Sequence, residues 1–175
     1  MSSSILVAYA TRGGSTGEVA VAVAAALREA GNQVQLARAQ DLKEIGACDE
    51  VVLGAPLYMG RIPREMHRFL AANRAALLAR RSWVFILGTV KEVPADFEAA
   101  RRQAEKQLLK YEWLKPAELK IFGGRFDFTS IGFPFSLLRG LPAFKEMRKR
   151  AMDIRDWDAI HNWALSVGHR VRPAA

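Results

Sequence analysis

The residues with the most evident chemistry lie in one short stretch. Thr11-Arg12-Gly13-Gly14-Ser15-Thr16-Gly17-Glu18 sets hydroxyls at 11, 15 and 16 around the adjacent pair Gly13-Gly14. Glycine lets backbone amides turn toward an anion, and hydroxyls donate to the oxygens those amides do not reach. A helix beginning here adds unpaired N–H groups and a partial positive charge. That chemistry is phosphate binding. A plain strand-to-helix turn needs only one hydroxyl, Ser15 or Thr16, as N-cap, so the stretch holds more than a cap requires. It does not match G-x-x-x-x-G-K-S/T. It does not match G-x-G-x-x-G either, because the glycine after Gly14 is Gly17. No acidic residue stands at the end of the second apolar run to read a ribose. A mononucleotide is therefore favoured over a dinucleotide.

Other reactive side chains are scattered. His67, His161 and His169 show no metal spacing, and His67 reads as a surface histidine near a ligand mouth at most. Cys48 is the one cysteine, so no internal disulfide or cysteine metal cluster forms, and a buried inert thiol is expected. No metal site is expected.

The elements that position the phosphate loop alternate along the chain. Apolar runs at 4–10, 34–37, 50–55, 82–88 and 118–124 read as strands. Helical periodicity covers 15–30, closed by Gly31, then 63–79, 96–114 and 156–170, with Asp153 or Asp156 as the last N-cap. Five strands alternating with helices imply an α/β fold, a parallel sheet covered on both faces. Ligands of such sheets sit at the carboxyl ends of the strands. The loops to inspect are 11–16, 55–62, 88–95 and 123–130. One domain spanning 1–175 is expected, with an insertion at about 125–150.

The 175 residues carry a net charge of +8 with a sequence pI near 10.1. Residues 1–60 hold 4 Lys/Arg and 6 Asp/Glu, whereas 61–175 hold 22 and 12. Residues 125–150 hold six basic and two acidic side chains, five phenylalanines and three leucines. Basic and apolar residues together suit an anionic bilayer surface or a flat apolar ligand with carboxylates. Packed phenylalanines beneath a solvated basic helix are the plainer alternative. Nucleic-acid recognition motifs are absent from the sequence, so no nucleic-acid partner is expected. No apolar run approaches the roughly 18 residues of a spanning helix. The start shows no basic region ahead of an apolar core, so a cytoplasmic location is expected.

The segment Val7 to Thr16, with Ala20 and Val23 behind it, resembles the phosphate loop of the flavodoxin family, through Tyr9, Thr11, Gly14 and Thr16. The resemblance implies a flavodoxin-like three-layer α/β/α sandwich with strand order 2-1-3-4-5. It implies FMN, with its phosphate on Thr11, Arg12, Gly13, Gly14, Ser15 and Thr16. The ring would lie between Pro56, Leu57, Tyr58, Met59 and Gly60 on one side and Thr89 and Val90 on the other. Electron-carrier flavodoxins crowd acidic groups near the flavin; here Arg61, Arg64, Arg68 and Lys91 stand in that neighbourhood.

The chain resembles instead the flavodoxin-like protoporphyrinogen dehydrogenases. The matching segments are 54–60, 123–126 and 153–160, with Asp156-Trp157 where that family has T-D-W. That resemblance implies a porphyrinogen donor, a quinone acceptor and a peripheral contact with an anionic inner-membrane face. Arg61, Arg125, Arg139, Arg148, Lys149 and Arg150 are the basic residues assigned to substrate or membrane. No catalytic side chain is assigned, and the oligomeric state is left open. An electron-transfer flavodoxin and a general FMN-dependent quinone or NAD(P)H reductase are the alternatives.

Overall fold

The computed structural model describes residues 3–126 and 152–171. In chain order these form β1 (Ser4–Tyr9), α1 (Ser15–Glu29), β2 (Gln33–Arg38), β3 (Glu50–Pro56), α2 (Arg64–Ala72), α3 (Arg74–Leu78), β4 (Arg81–Thr89), α4 (Pro94–Leu108), β5 (Glu118–Gly123), β6 (Arg125–Phe126), β7 (Met152–Asp153) and α5 (Trp157–Arg170). The first five strands pair in parallel, in the order β2-β1-β3-β4-β5.

The burial patterns explain that order. β3 and β4 are apolar and buried almost throughout, as central strands between two helical layers require. β2 alternates exposed and half-buried residues, the pattern of an edge. On one face α1 and α5 pack Val19, Val23, Leu27, Ile160 and Trp163 against Val7, Trp83 and Phe85. On the other, α2, α3 and α4 pack Met66, Phe69, Leu77 and Ala104 against Leu6, Leu53 and Ile86. Each fully buried large aliphatic or aromatic side chain contributes about 2 kcal/mol.

At the amino end of the sheet, Trp83 Nε1 donates to buried Glu50 at 2.5 Å. The guanidinium groups of Arg81 and Arg170 lie 4.5 and 4.6 Å from the Trp83 ring centroid. This network closes the end of the sheet opposite the β1–α1 loop.

Two helices depart from the sequence expectation. The 63–79 stretch is not one helix. It breaks at Asn73, whose buried side chain accepts from Ile45 N at 2.9 Å and donates to Phe69 O at 3.0 Å. That pairing holds Asn73 at φ −108 and ψ 19, outside helical geometry. The helix expected to run to Leu114 ends at Leu108 and tightens into a 3-10 turn over Leu109–Tyr111. There Tyr111 folds back onto His67 of α2, its hydroxyl 2.7 Å from Nδ1.

After β5, β6 and β7 form an antiparallel ribbon pairing Arg125 with Asp153. Arg139, Arg148, Lys149 and Arg150, with most of the insertion expected at 125–150, lie outside the described residues.

Candidate functional site

The carboxyl end of β1 turns into α1 through Gly14, which takes φ 86 and is the N-cap, in place of the expected Ser15 or Thr16. This left-handed conformation suits glycine. The Gly14 amide donates to Thr11 Oγ1 at 3.0 Å, folding the loop back on itself. No side chain caps α1. The hydroxyl of Thr16 is fully buried and has no hydrogen-bond partner. A buried unpaired hydroxyl carries a desolvation cost of about 1–3 kcal/mol. Its position in the first turn of an uncapped helix is that of a donor awaiting an acceptor.

β3 ends in a second turn. Tyr58 N donates to Arg61 O at 2.9 Å and Arg61 N donates to Tyr58 O at 3.0 Å. Between them Met59 and Gly60 take φ 49 and 74. This is the geometry of a two-residue turn with both central residues left-handed, and it strains Met59, since only glycine adopts it without cost. Met59 is 81% exposed at its tip. Leu57 N is tied to Leu87 O at 2.9 Å, which joins this turn to the end of β4.

After β4, Thr89 accepts from Gly124 N through its backbone carbonyl at 2.6 Å and from Lys91 N through Oγ1 at 3.1 Å. α4 then crosses close over the strand end. A Cβ at Gly88 would meet that of Ala100 at 2.5 Å, so only glycine permits the approach.

These loops surround one cavity of about 700 Å³, within the usual size range of a small-molecule site. Thr11, Arg12, Gly13, Ser15 and Thr16 line one end. Pro56, Leu57, Tyr58, Met59, Thr89 and Val90 line the other, with Leu87 and Gly88. Gly14 and Gly60 shape the turns without lining the space. Arg61 is exposed beside it, while Arg125 lines it. The Arg12 guanidinium lies 5.5 Å from the Tyr58 ring centroid, bridging the two ends.

Sequence reasoning missed one wall. Asp96, Ala99, Ala100 and Gln103 of α4 also line the cavity. Their spacing of three, four and seven places them on one helix face. Small and polar residues there look like solvated helix until the fold is known.

His67 and Cys48 do not line the cavity. Burial and the Lys110 charge lower the His67 pKa below its ordinary 6.5. Burial raises that of Cys48, which suits an unreactive thiol.

FMN fits this site on structural grounds. The uncapped helix end and the buried Thr16 hydroxyl match a phosphate, and an apolar slot beside Tyr58 matches a flat ring.

Comparisons with known proteins agree. A family model described as "Flavodoxin domain" matches residues 6–134. Protoporphyrinogen IX dehydrogenase [quinone] of Escherichia coli (strain K12) is 22% identical over 171 residues, covering 94% of each chain. Among solved structures, flavodoxin 1 of Bacillus cereus superposes with a TM-score of 0.55 at 17% identity, covering 95% of each chain. The NAD(P)H:quinone oxidoreductase of Methanothermobacter marburgensis superposes with a TM-score of 0.57 at 13% identity, covering 98% of this chain and 100% of that one. The strand order, the uncapped start of α1 and the family model converge: the chain belongs to the flavodoxin domain family, with FMN as its cofactor.

Proposed function

We propose that this chain is an FMN-dependent oxidoreductase that oxidises protoporphyrinogen IX and passes the electrons to a quinone. The carrying observation is the correspondence with the Escherichia coli quinone-linked enzyme, which extends over 94% of both chains. The charge supports it. At +8 this chain suits anionic ligands rather than the basic partners of acidic electron carriers.

When bound, FMN supplies the relay that takes two electrons from one partner and hands them to another. The chain supplies binding and orientation. Thr11, Ser15, Thr16 and the Gly13 amide would hold the phosphate, with Gly14 shaping the turn. Pro56, Leu57, Tyr58 and Met59 would face the ring across from Thr89 and Val90. The Met59–Gly60 turn would offer its peptide groups to the ring edge. Arg12, Arg61 and Lys91 form a basic rim for the carboxylates of a porphyrinogen. Arg139, Arg148, Lys149 and Arg150 are the basic residues we assign to an anionic membrane face, where a lipophilic quinone resides. The protein acts in the cytoplasm, at that face. Among the described residues no helix is long and apolar enough to cross a membrane. Each withdrawal of two electrons and two protons from the porphyrinogen is balanced by reduction of one quinone to its quinol.

The test is anaerobic. FMN-loaded protein is mixed with protoporphyrinogen and a menaquinone analogue, and porphyrin fluorescence is followed. Porphyrin formation that requires both quinone and FMN is expected. Bound FMN without porphyrin formation overturns the substrate assignment and leaves an electron carrier. NADPH consumption by the protein alone points to a reductase.

A further inference from the structure

An ion-pair cluster stands beside the β1–α1 loop. Glu18 stands in the first turn of α1, two residues after Thr16. A carboxylate there suits the helix dipole. It opposes a phosphate dianion bound at the same helix end, because Cβ vectors tilt toward the helix N-terminus.

Arg155, between β7 and α5, answers that charge. Its side chain is 4% exposed. Nη1 donates to Glu18 Oε2 at 2.6 Å. Nη2 and Nε donate to the two oxygens of Asp153 at 2.6 and 2.8 Å. Its guanidinium also lies 4.6 Å from the Trp157 ring centroid, so the group is fixed on every side. Hydrogen bonds to Arg155 hold the Asp153 carboxyl below its ordinary pKa. The other oxygen of Glu18 lies 3.7 Å from Arg125 Nη1. Arg125 lines the cavity together with Thr11 to Thr16 and pairs with Asp153 across the ribbon.

We propose that Arg155 is a positioning residue for the phosphate end of FMN: it holds and neutralises the Glu18 carboxylate, whose charge would otherwise oppose the phosphate at the start of α1. Exposed ion pairs contribute little, but the guanidinium here is itself 4% exposed and is locked by a bidentate fork to Asp153, so its remaining Nη1 is held in place for Glu18. The inference rests on the FMN reading of the cavity. It adds a charge-balancing cluster from the far end of the chain to a loop that otherwise binds phosphate through amides and hydroxyls.

The test compares FMN with riboflavin, which lacks the phosphate. Apo-protein is titrated with each, and flavin fluorescence quenching gives Kd. Arg155→Gln is expected to weaken FMN binding about tenfold and to leave riboflavin binding unchanged. Arg155→Lys, which keeps the charge and loses the fork, should restore part of the FMN affinity. The double variant Glu18→Gln/Arg155→Gln should return it to within about twofold of the wild type, since the opposing charge is gone. If Arg155→Gln does not fold, Glu18→Gln alone carries the test: FMN should bind about threefold tighter and riboflavin equally well. Equal weakening of FMN and riboflavin, or no weakening of either, overturns the role of Arg155 while the FMN reading stands. A wild type that binds neither flavin removes both.

Discussion

Replacing Thr16 with Val should move stability and binding in opposite directions. The Thr16 side chain is fully buried, and its hydroxyl has no partner. A buried hydroxyl without a partner costs about 1–3 kcal/mol. Val keeps the shape and β-branching and removes the polar atom. The apo-protein should therefore gain about 1 kcal/mol, raising Tm by about 2–4 °C for a chain of this size. FMN should lose a charge-assisted hydrogen bond worth about 1.5–3 kcal/mol, which weakens Kd by about tenfold or more. Thermal unfolding of flavin-free protein in phosphate-free buffer gives the first number. Fluorescence titration with FMN gives the second. A Thr16→Val protein that is less stable and binds FMN with unchanged affinity would refute the reasoning, because the hydroxyl would then be neither unsatisfied nor aimed at the ligand.

Glu50→Ala should cost about 2–4 kcal/mol in urea unfolding, since it strands the buried Trp83 N–H and removes the carboxylate 4.0 Å from Arg81, while FMN affinity stays unchanged because the pair sits at the opposite end of the sheet. Gly88→Val should cost about 1–3 kcal/mol and weaken FMN binding, because its Cβ would meet Ala100 at 2.5 Å and force α4 away from the cavity; unfolding midpoints and flavin titration read both effects. His67 titrates below its ordinary 6.5 in the folded chain, so on acidification the unfolded chain takes up its proton first. The stability tied to His67 is fully present above pH 6.5 and falls as pH drops from there toward the lowered folded value. His67→Gln should flatten that part of the profile in unfolding midpoints measured between about pH 5 and pH 8.

Much of the site is legible in the sequence because strand ends and glycine turns leave short, local signatures. Thr11 to Thr16, Pro56 to Met59, and Thr89 with Val90 all come from loops at the carboxyl ends of apolar runs, and the fold brings them around one cavity. The fold order is legible for the same reason. β1, β3 and β4 are continuous apolar runs, the pattern of strands in a parallel sheet covered on both faces.

What escapes the sequence depends on distant partners. Asn73 breaks a helix through a bond to Ile45, 28 residues away. Arg155 meets Glu18 across 137 residues. The α4 wall is unremarkable until Gly88 is seen to admit Ala100. The Gly14 cap was hidden by the neighbouring hydroxyls. Ser15 and Thr16 are the better caps by type, yet the chain turns at the residue that tolerates φ 86 and leaves Thr16 with no partner.

The central claim is that one cavity at the carboxyl edge of the sheet holds FMN with its phosphate on the β1–α1 loop. A crystal structure of the FMN-loaded protein tests it most directly. The account predicts phosphate oxygens within hydrogen-bonding distance of Thr16 Oγ1 and the amides at the start of α1, with the ring between Tyr58 and Val90. Flavin density elsewhere on the molecule, or a phosphate facing solvent with Thr16 still unpaired, would contradict it.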